Sequence, residues 1–125
     1  MRFGKKVSVE LKGDAIDAYS RLNTLVGKQR LGGIRSSDEI SLWNSVQRAF
    51  DLISDNPFYG RNVRKKQIPA YYLKKFGAGN LFVVSLSLFW RLVYSLEGSR
   101  VEIVAFVLDI FSHEEYGKRF GYKRK

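Results

Sequence analysis

Leu81-Phe82-Val83-Val84-Ser85-Leu86, Trp90-Arg91-Leu92-Val93-Tyr94-Ser95-Leu96 and Val101-Glu102-Ile103-Val104-Ala105-Phe106-Val107-Leu108 are apolar runs separated by short breaks. Their length and their β-branched and aromatic content predict strands. Gly98 marks a turn, so the last two runs should form an antiparallel hairpin, closed by Glu97-Gly98 or by a longer loop through Arg100. In either case Arg91 and Glu102 fall on one sheet face, and Trp90, Leu92, Tyr94, Ile103 and Val107 on the other. The bulkier face is expected to cover helices, which leaves the Arg91 face as a shallow concavity flanked by the C-terminal segment. An arginine among strand residues needs a partner, a solvent path or a phosphate to offset desolvation. Arg91 is therefore the first candidate for function, and an ion pair with Glu102 is its bland alternative.

Upstream, Lys6-Val7-Ser8-Val9-Glu10-Leu11 alternates as a half-buried strand does. Asp14 stands where an N-cap belongs, and Ala15, Ile16, Ala18, Tyr19, Leu22, Leu25 and Val26 recur at helical spacing up to Gly27. A first helix ending near Val26 follows, then a mobile connection from Gly27 to Ser36. Ser36 or Ser37 caps a second helix whose stripe is Ile40, Leu42, Trp43, Val46, Ala49, Phe50 and Ile53, and which stops by Asn56-Pro57. Each stripe must be buried, so the two helices predict an antiparallel hairpin laid on the sheet. The fold class is thus α+β: one domain over 1–125, a twisted antiparallel sheet that the first strand joins, packed on one face by an N-terminal helix hairpin. Lys123-Arg124-Lys125 reads as a loose tail.

The chain has 125 residues, enough for one core and too few for two. Its 22 Lys and Arg against 12 Asp and Glu give a formal charge of +10, which favours polyanionic partners, nucleic acid or an acidic protein. There is no cysteine, which excludes disulfides, thiolate metal sites and a cysteine nucleophile. With a single histidine, His113, a histidine-rich metal site is also excluded. No run approaches membrane-spanning length and the N-terminus lacks a signal-like apolar segment; a cytoplasmic protein without membrane or small-molecule cofactor is expected. No P-loop, dinucleotide fingerprint or serine triad is present.

Arg61, Arg64, Lys65, Lys66, Lys74 and Lys75 are interleaved with Phe58, Tyr59, Tyr71, Tyr72 and Phe76. Charge to neutralise phosphate beside rings to stack bases is what RNA-binding surfaces use. Glu114 and Glu115 read as moderators of the basic tail, Asp14, Asp17 and Asp38 as helix-start and surface residues, and Phe120 and Tyr122 as packing residues.

The order strand, helix hairpin, antiparallel sheet, taken with Arg64-Lys65-Lys66-Gln67-Ile68-Pro69, Trp90-Arg91-Leu92-Val93-Tyr94, Val101–Asp109 and Ser112-His113-Glu114-Glu115-Tyr116, resembles the RelE/ParE superfamily of toxin–antitoxin toxins. The resemblance is strongest from Arg64 to Tyr116 and rests on the spacing of all four pieces. It implies a RelE-like toxin that enters the ribosomal A site and cuts mRNA without a metal, the ribose hydroxyl attacking its own 3′ phosphate. That chemistry needs a base, a cation over the developing charge and an acid for the leaving oxygen. Arg91 matches the family's phosphate-contacting strand arginine, Tyr116 a C-terminal tyrosine that stacks on or orients a base, and His113 the place of an acid–base histidine in some members. An acidic antitoxin and the ribosome with its mRNA are the partners implied.

The chain also departs from the family. Leu81–Leu86 has none of the alternating lysines that ribosome-dependent members carry on that strand, and Asp109-Ile110-Phe111 stands where an arginine usually precedes the tyrosine. A ParE-like protein that poisons gyrase, or a non-catalytic RNA- or ribosome-binding module of the same fold, are the alternatives.

Overall fold

In the computed structural model, residues 5–121 are described; the 123–125 tail and Tyr122 lie outside them. The chain runs β1 (Lys6–Leu11), α1 (Asp14–Leu31), α2 (Asp38–Asp55), β2 (Arg61–Asn62), α3 (Ala70–Phe76), β3 (Phe82–Ser85), β4 (Arg91–Gly98), β5 (Glu102–Phe111) and α4 (His113–Phe120). It is an α+β domain with one five-stranded sheet in the order β1-β5-β4-β3-β2.

The sheet is mixed, not antiparallel throughout. β3–β4 and β4–β5 pair antiparallel as expected, and β2, a two-residue strand the sequence does not announce, adds antiparallel to β3; but β1 lies parallel to β5, Lys6 opposite Glu102 and Leu11 opposite Val107. The helix hairpin supplies the crossover that a parallel pair requires.

That hairpin is antiparallel, with Gln29 donating to Glu39 at 2.9 Å near the loop and Gln47 to Tyr19 at 3.2 Å farther down. α1 extends past Val26 to Leu31, so Gly27 lies inside it and the connection shortens to Gly32–Ser37. A Cβ at Gly27 would meet nothing, and a single helical glycine costs only about 1 kcal/mol. Asp14 is the first helical residue; Gly13 occupies the cap, at φ +59° and with Phe76 Cζ only 2.7 Å from where a Cβ would stand. Ser37 caps α2, its Oγ accepting from the Ile40 amide at 3.0 Å.

Ile40, Leu42, Val46, Ala49 and Ile53 of α2 are buried, and most of them pack with Leu92, Tyr94, Ala105 and Val107 on one sheet face. Ile103 is only half-buried and lies at the far end of β5. The opposite face is covered too. α3 and α4 seal it with Tyr72, Tyr116 and Phe120 over Val83, Val93, Leu108 and Phe111, so the Arg91 face is a second core and not an open concavity.

A β-bulge between Val93/Tyr94 and their partners makes this second core possible. Val93 pairs with Asp109 and Tyr94 with Val107, leaving Leu108 as the extra residue. Leu108 packs in the second core and Asp109 hydrogen-bonds to Tyr72 there, so successive residues of β5 serve one face.

Candidate functional site

Strand pairing lines up Arg61, Val83, Val93 and Asp109 across the sheet, with Ser85, Arg91 and Phe111 forming the next row. Residues laterally opposite share a face, so both arginines project on the side covered by α4. Tyr116 of α4 descends between them. Arg61 Nη2 donates to the Tyr116 hydroxyl at 2.8 Å, and the Arg91 guanidinium carbon lies 5.4 Å from the Tyr116 ring centroid. Arg61, Arg91 and Tyr116, three of the sequence-predicted residues, are thus one cluster. At 5% exposure, however, Tyr116 has no open ring face for a base: its ring packs against Phe111 and Phe120. In this conformation it positions the two guanidinium groups.

Arg91 does not pair with Glu102. The two share a face as expected but sit at opposite ends of the hairpin, Arg91 opposite Phe111 and Gly98 opposite Ile103, a separation on the order of 25 Å along the strand. Arg91 Nη1 instead donates to the carbonyls of Phe89 at 2.8 Å and Trp90 at 3.2 Å. Those carbonyls belong to a tight turn in which Leu88 has φ 61° and Phe89 φ 63°. Left-handed backbone at large non-glycine residues costs about 1–3 kcal/mol apiece and persists only when its surroundings hold it. The closing bonds, Leu86 N to Trp90 O at 2.8 Å and Trp90 N to Ser87 O at 3.2 Å, and the Arg91 guanidinium supply that hold.

Arg61 is placed by a second device. The buried Tyr94 hydroxyl donates to Pro57 O at 2.8 Å and accepts from the Gly60 amide at 2.9 Å, pinning the loop that leads into β2. Burial pushes this phenol up to about 12, so it stays a donor through the neutral range. Glycine is required at 60 because a Cβ would sit 2.9 Å from Tyr94 Cε1 and 3.1 Å from Phe82 Cβ.

His113 opens α4, two residues past the strand partner of Arg91, and is exposed. Ser112 caps this helix, accepting from the Glu115 amide at 3.3 Å. Arg64, Lys65, Lys66 and Lys74 are exposed, the middle pair in a single 3-10 turn after β2. Lys75 stands apart from them in role. It donates to the Tyr71 hydroxyl at 3.1 Å and lies 3.9 Å from Asp14 Oδ1, bridging α3 to the start of α1. Its pKa is raised, first by the hydrogen bond to Tyr71.

Asp109, which stands where the family usually has an arginine, is paired with Arg119, and nothing in the sequence marks that pairing. Asp109 is 3% exposed, and its Oδ2 accepts from Tyr72 Oη and from Arg119 Nη1, both at 2.8 Å. The Arg119 guanidinium lies 3.7 Å from the Tyr71 ring centroid. Burial pushes the Asp109 carboxyl above its ordinary range, with Tyr72 and Arg119 pulling it back down. Burial and the adjacent carboxylate together push the Tyr72 phenol strongly upward. The signal for α4 was present: Ser112-x-x-Glu115 is a capping box, and Gly121 follows as a left-handed C-cap.

Beside the cluster, α1, the start of α2, Leu88, Trp90 and the start of α4 enclose a largely apolar groove of about 500 Å³. Among the described residues no group of His, Asp and Glu is arranged to hold a metal ion, and no helix is long and apolar enough to cross a membrane. No family model, curated protein or solved structure matches the chain.

Proposed function

We propose that the chain is a RelE-like toxin domain that acts on RNA at the ribosome and is held in check by an acidic antitoxin. The observation that carries this reading is the Arg61–Tyr116–Arg91 cluster, in which two guanidinium groups flank one tyrosine on a chain of net charge +10. Arginine forks suit phosphate, and paired cations stabilise the charge that grows on a phosphate under attack.

In the reaction the 2′ oxygen forms a bond to the adjacent phosphorus while the bond from phosphorus to the 5′ oxygen breaks. Arg91 and Arg61 steady the phosphate oxygens. His113 takes the 2′-hydroxyl proton and returns one to the leaving 5′ oxygen. Arg64, Lys65, Lys66 and Lys74 hold the flanking strand by charge.

The test is primer-extension mapping of mRNA on purified translating ribosomes with wild type, Arg91→Ala and His113→Ala, and a control without ribosomes. Cuts that need the ribosome and vanish in Arg91→Ala support the reading; absence of cuts with folded wild type refutes it. A ParE-like action on gyrase is the second reading. It is favoured by β3, where Phe82, Val83 and Val84 are buried and no lysine is present. Supercoiling by purified gyrase, inhibited by the wild-type chain, would favour it.

A further inference from the structure

Phe89 is the most exposed aromatic ring among the described residues, at 74%, and it sits in a turn whose backbone is held in a conformation large residues avoid. A solvent-facing phenylalanine on strained backbone is unfavourable twice over for the folded chain alone. Among the described residues its ring packs against no other ring and no cation. Its own carbonyl, meanwhile, is the 2.8 Å acceptor of the Arg91 guanidinium. The strained turn therefore carries, on one residue, an exposed ring and a backbone carbonyl bonded to a phosphate-seeking cation.

We infer that Phe89 is the base-stacking platform of the site, a single-stranded RNA base lying on its ring while the neighbouring phosphate meets Arg91. This rests on the RNA-directed reading above and supplies the base contact that the buried Tyr116 does not make. Bases stack on any aromatic face, so the contact is tolerant of sequence, and the ring needs no hydrogen-bonding group to make it. The turn joins β3 to β4, and its left-handed backbone sets the direction in which the ring leaves the chain. Other exposed rings fit less well: Phe58 leans edge-on against Phe82 at 6.1 Å between centroids, and Tyr59 follows it in the loop before β2.

Fluorescence anisotropy tests this with a short labelled single-stranded RNA and an abasic ribose-phosphate strand of the same length. Phe89→Leu keeps bulk at the strained position but removes the π face; Phe89→Tyr keeps the face. Stacking losses on this scale correspond to about five- to a hundredfold weaker RNA binding for Phe89→Leu. Phe89→Tyr should bind RNA as wild type does, and all three proteins should bind the abasic strand alike. Because the side chain is exposed, each variant should melt with the wild type. If Phe89→Leu binds RNA as tightly as wild type while Arg91→Ala binds it more weakly, the stacking role is overturned and the RNA reading stands. If wild type binds neither strand, the RNA reading fails and the stacking role with it.

Discussion

Replacing Arg119 by leucine removes one of two donors from a carboxylate that water barely reaches. Asp109 and Arg119 side chains are 5% and 25% exposed, and Oδ2 of Asp109 would keep only the Tyr72 hydroxyl. Breaking a fully buried pair costs about 3–5 kcal/mol. The partial exposure of Arg119 brings this case below that range, to about 2 kcal/mol, and loss of the guanidinium from the Tyr71 ring at 3.7 Å adds about 0.5–1 kcal/mol. The total, about 3 kcal/mol at pH 7, corresponds to a fall in Tm of about 10 °C for a chain of this size. The pH dependence has a definite sign. Asp109 holds its proton to higher pH in the folded chain than the ordinary aspartate value near 3.9, so across that window the folded state binds more protons and stability falls as pH rises. Arg119→Leu raises the folded value further, which widens the window. The difference between wild type and variant should therefore be full near neutrality and shrink as pH falls toward 4, where a neutral carboxyl no longer needs the cation. Thermal and urea melts of both proteins at several pH values, repeated in an Asp109→Asn background, measure this. With asparagine at 109 the leucine substitution should cost only about 1.5–2 kcal/mol, the remainder being the ring contact and one hydrogen bond to an uncharged acceptor. An equal cost at pH 4 and pH 7, or an equal cost in both backgrounds, refutes the reasoning.

Two further substitutions test the devices that place the arginines. Tyr94→Phe leaves the Gly60 amide without its 2.9 Å acceptor and Pro57 O without its donor, and should destabilise by about 1–3 kcal/mol in urea melts; a variant within about 0.3 kcal/mol of wild type, the size of ordinary additivity error, would show that water replaces both bonds. Leu88→Gly relieves a residue at φ 61°; strain relief of about 1–2 kcal/mol less a glycine entropy cost of about 0.5–1 leaves a gain of roughly 0.5–1 kcal/mol, seen as a higher urea midpoint at unchanged slope. A lower midpoint would mean that the leucine side chain, at the edge of the apolar groove, contributes more than its backbone costs.

The four longer strands and the helix hairpin were legible because apolar runs and a stripe from Ile40 to Ile53 repeat a period several times over, whereas β2, two exposed residues, has no pattern to read. The direction of β1 was not, since Lys6–Leu11 alternates identically whether its neighbour runs with it or against it. α3 and α4 escaped because helices of seven and eight residues give too few turns for a period to emerge. Their end signals, the Ser112–Glu115 box and the glycines at 77 and 121, were the readable part. The bulge was beyond reach: nothing in Val107-Leu108-Asp109 states that one residue will be left unpaired, and without the bulge Asp109 would alternate away from Tyr72. Arg61, Arg91 and Tyr116 were each singled out from type and resemblance, but their meeting depends on the pairing of Arg61 with Val83 and on α4 folding back, neither of which the spacing encodes.

The placing of α4 ties the stability network to the candidate site. Tyr116 and Arg119 stand three residues apart, hence on neighbouring turns of one helix face. Tyr116 accepts from Arg61 at one end of a lateral row of the sheet, and Arg119 bonds Asp109 at the other end of the same row. The two bonds act as separate attachment points for one short helix, whose isolated stability in water is negligible at eight residues. Loosening the Asp109 end should therefore free the Tyr116 end, exposing its ring and releasing Arg61. Arg119→Leu is thus expected to change the surroundings of Arg61 and Arg91 from the far side of the row. Hydrogen exchange in α4 is the readout: amides of residues 116–120 should exchange faster in Arg119→Leu than in wild type, while those of β4 keep their protection. Uniform acceleration through β4 and α4 together would mean that the helix and the sheet open only as one unit, and that the site has no movable wall of its own.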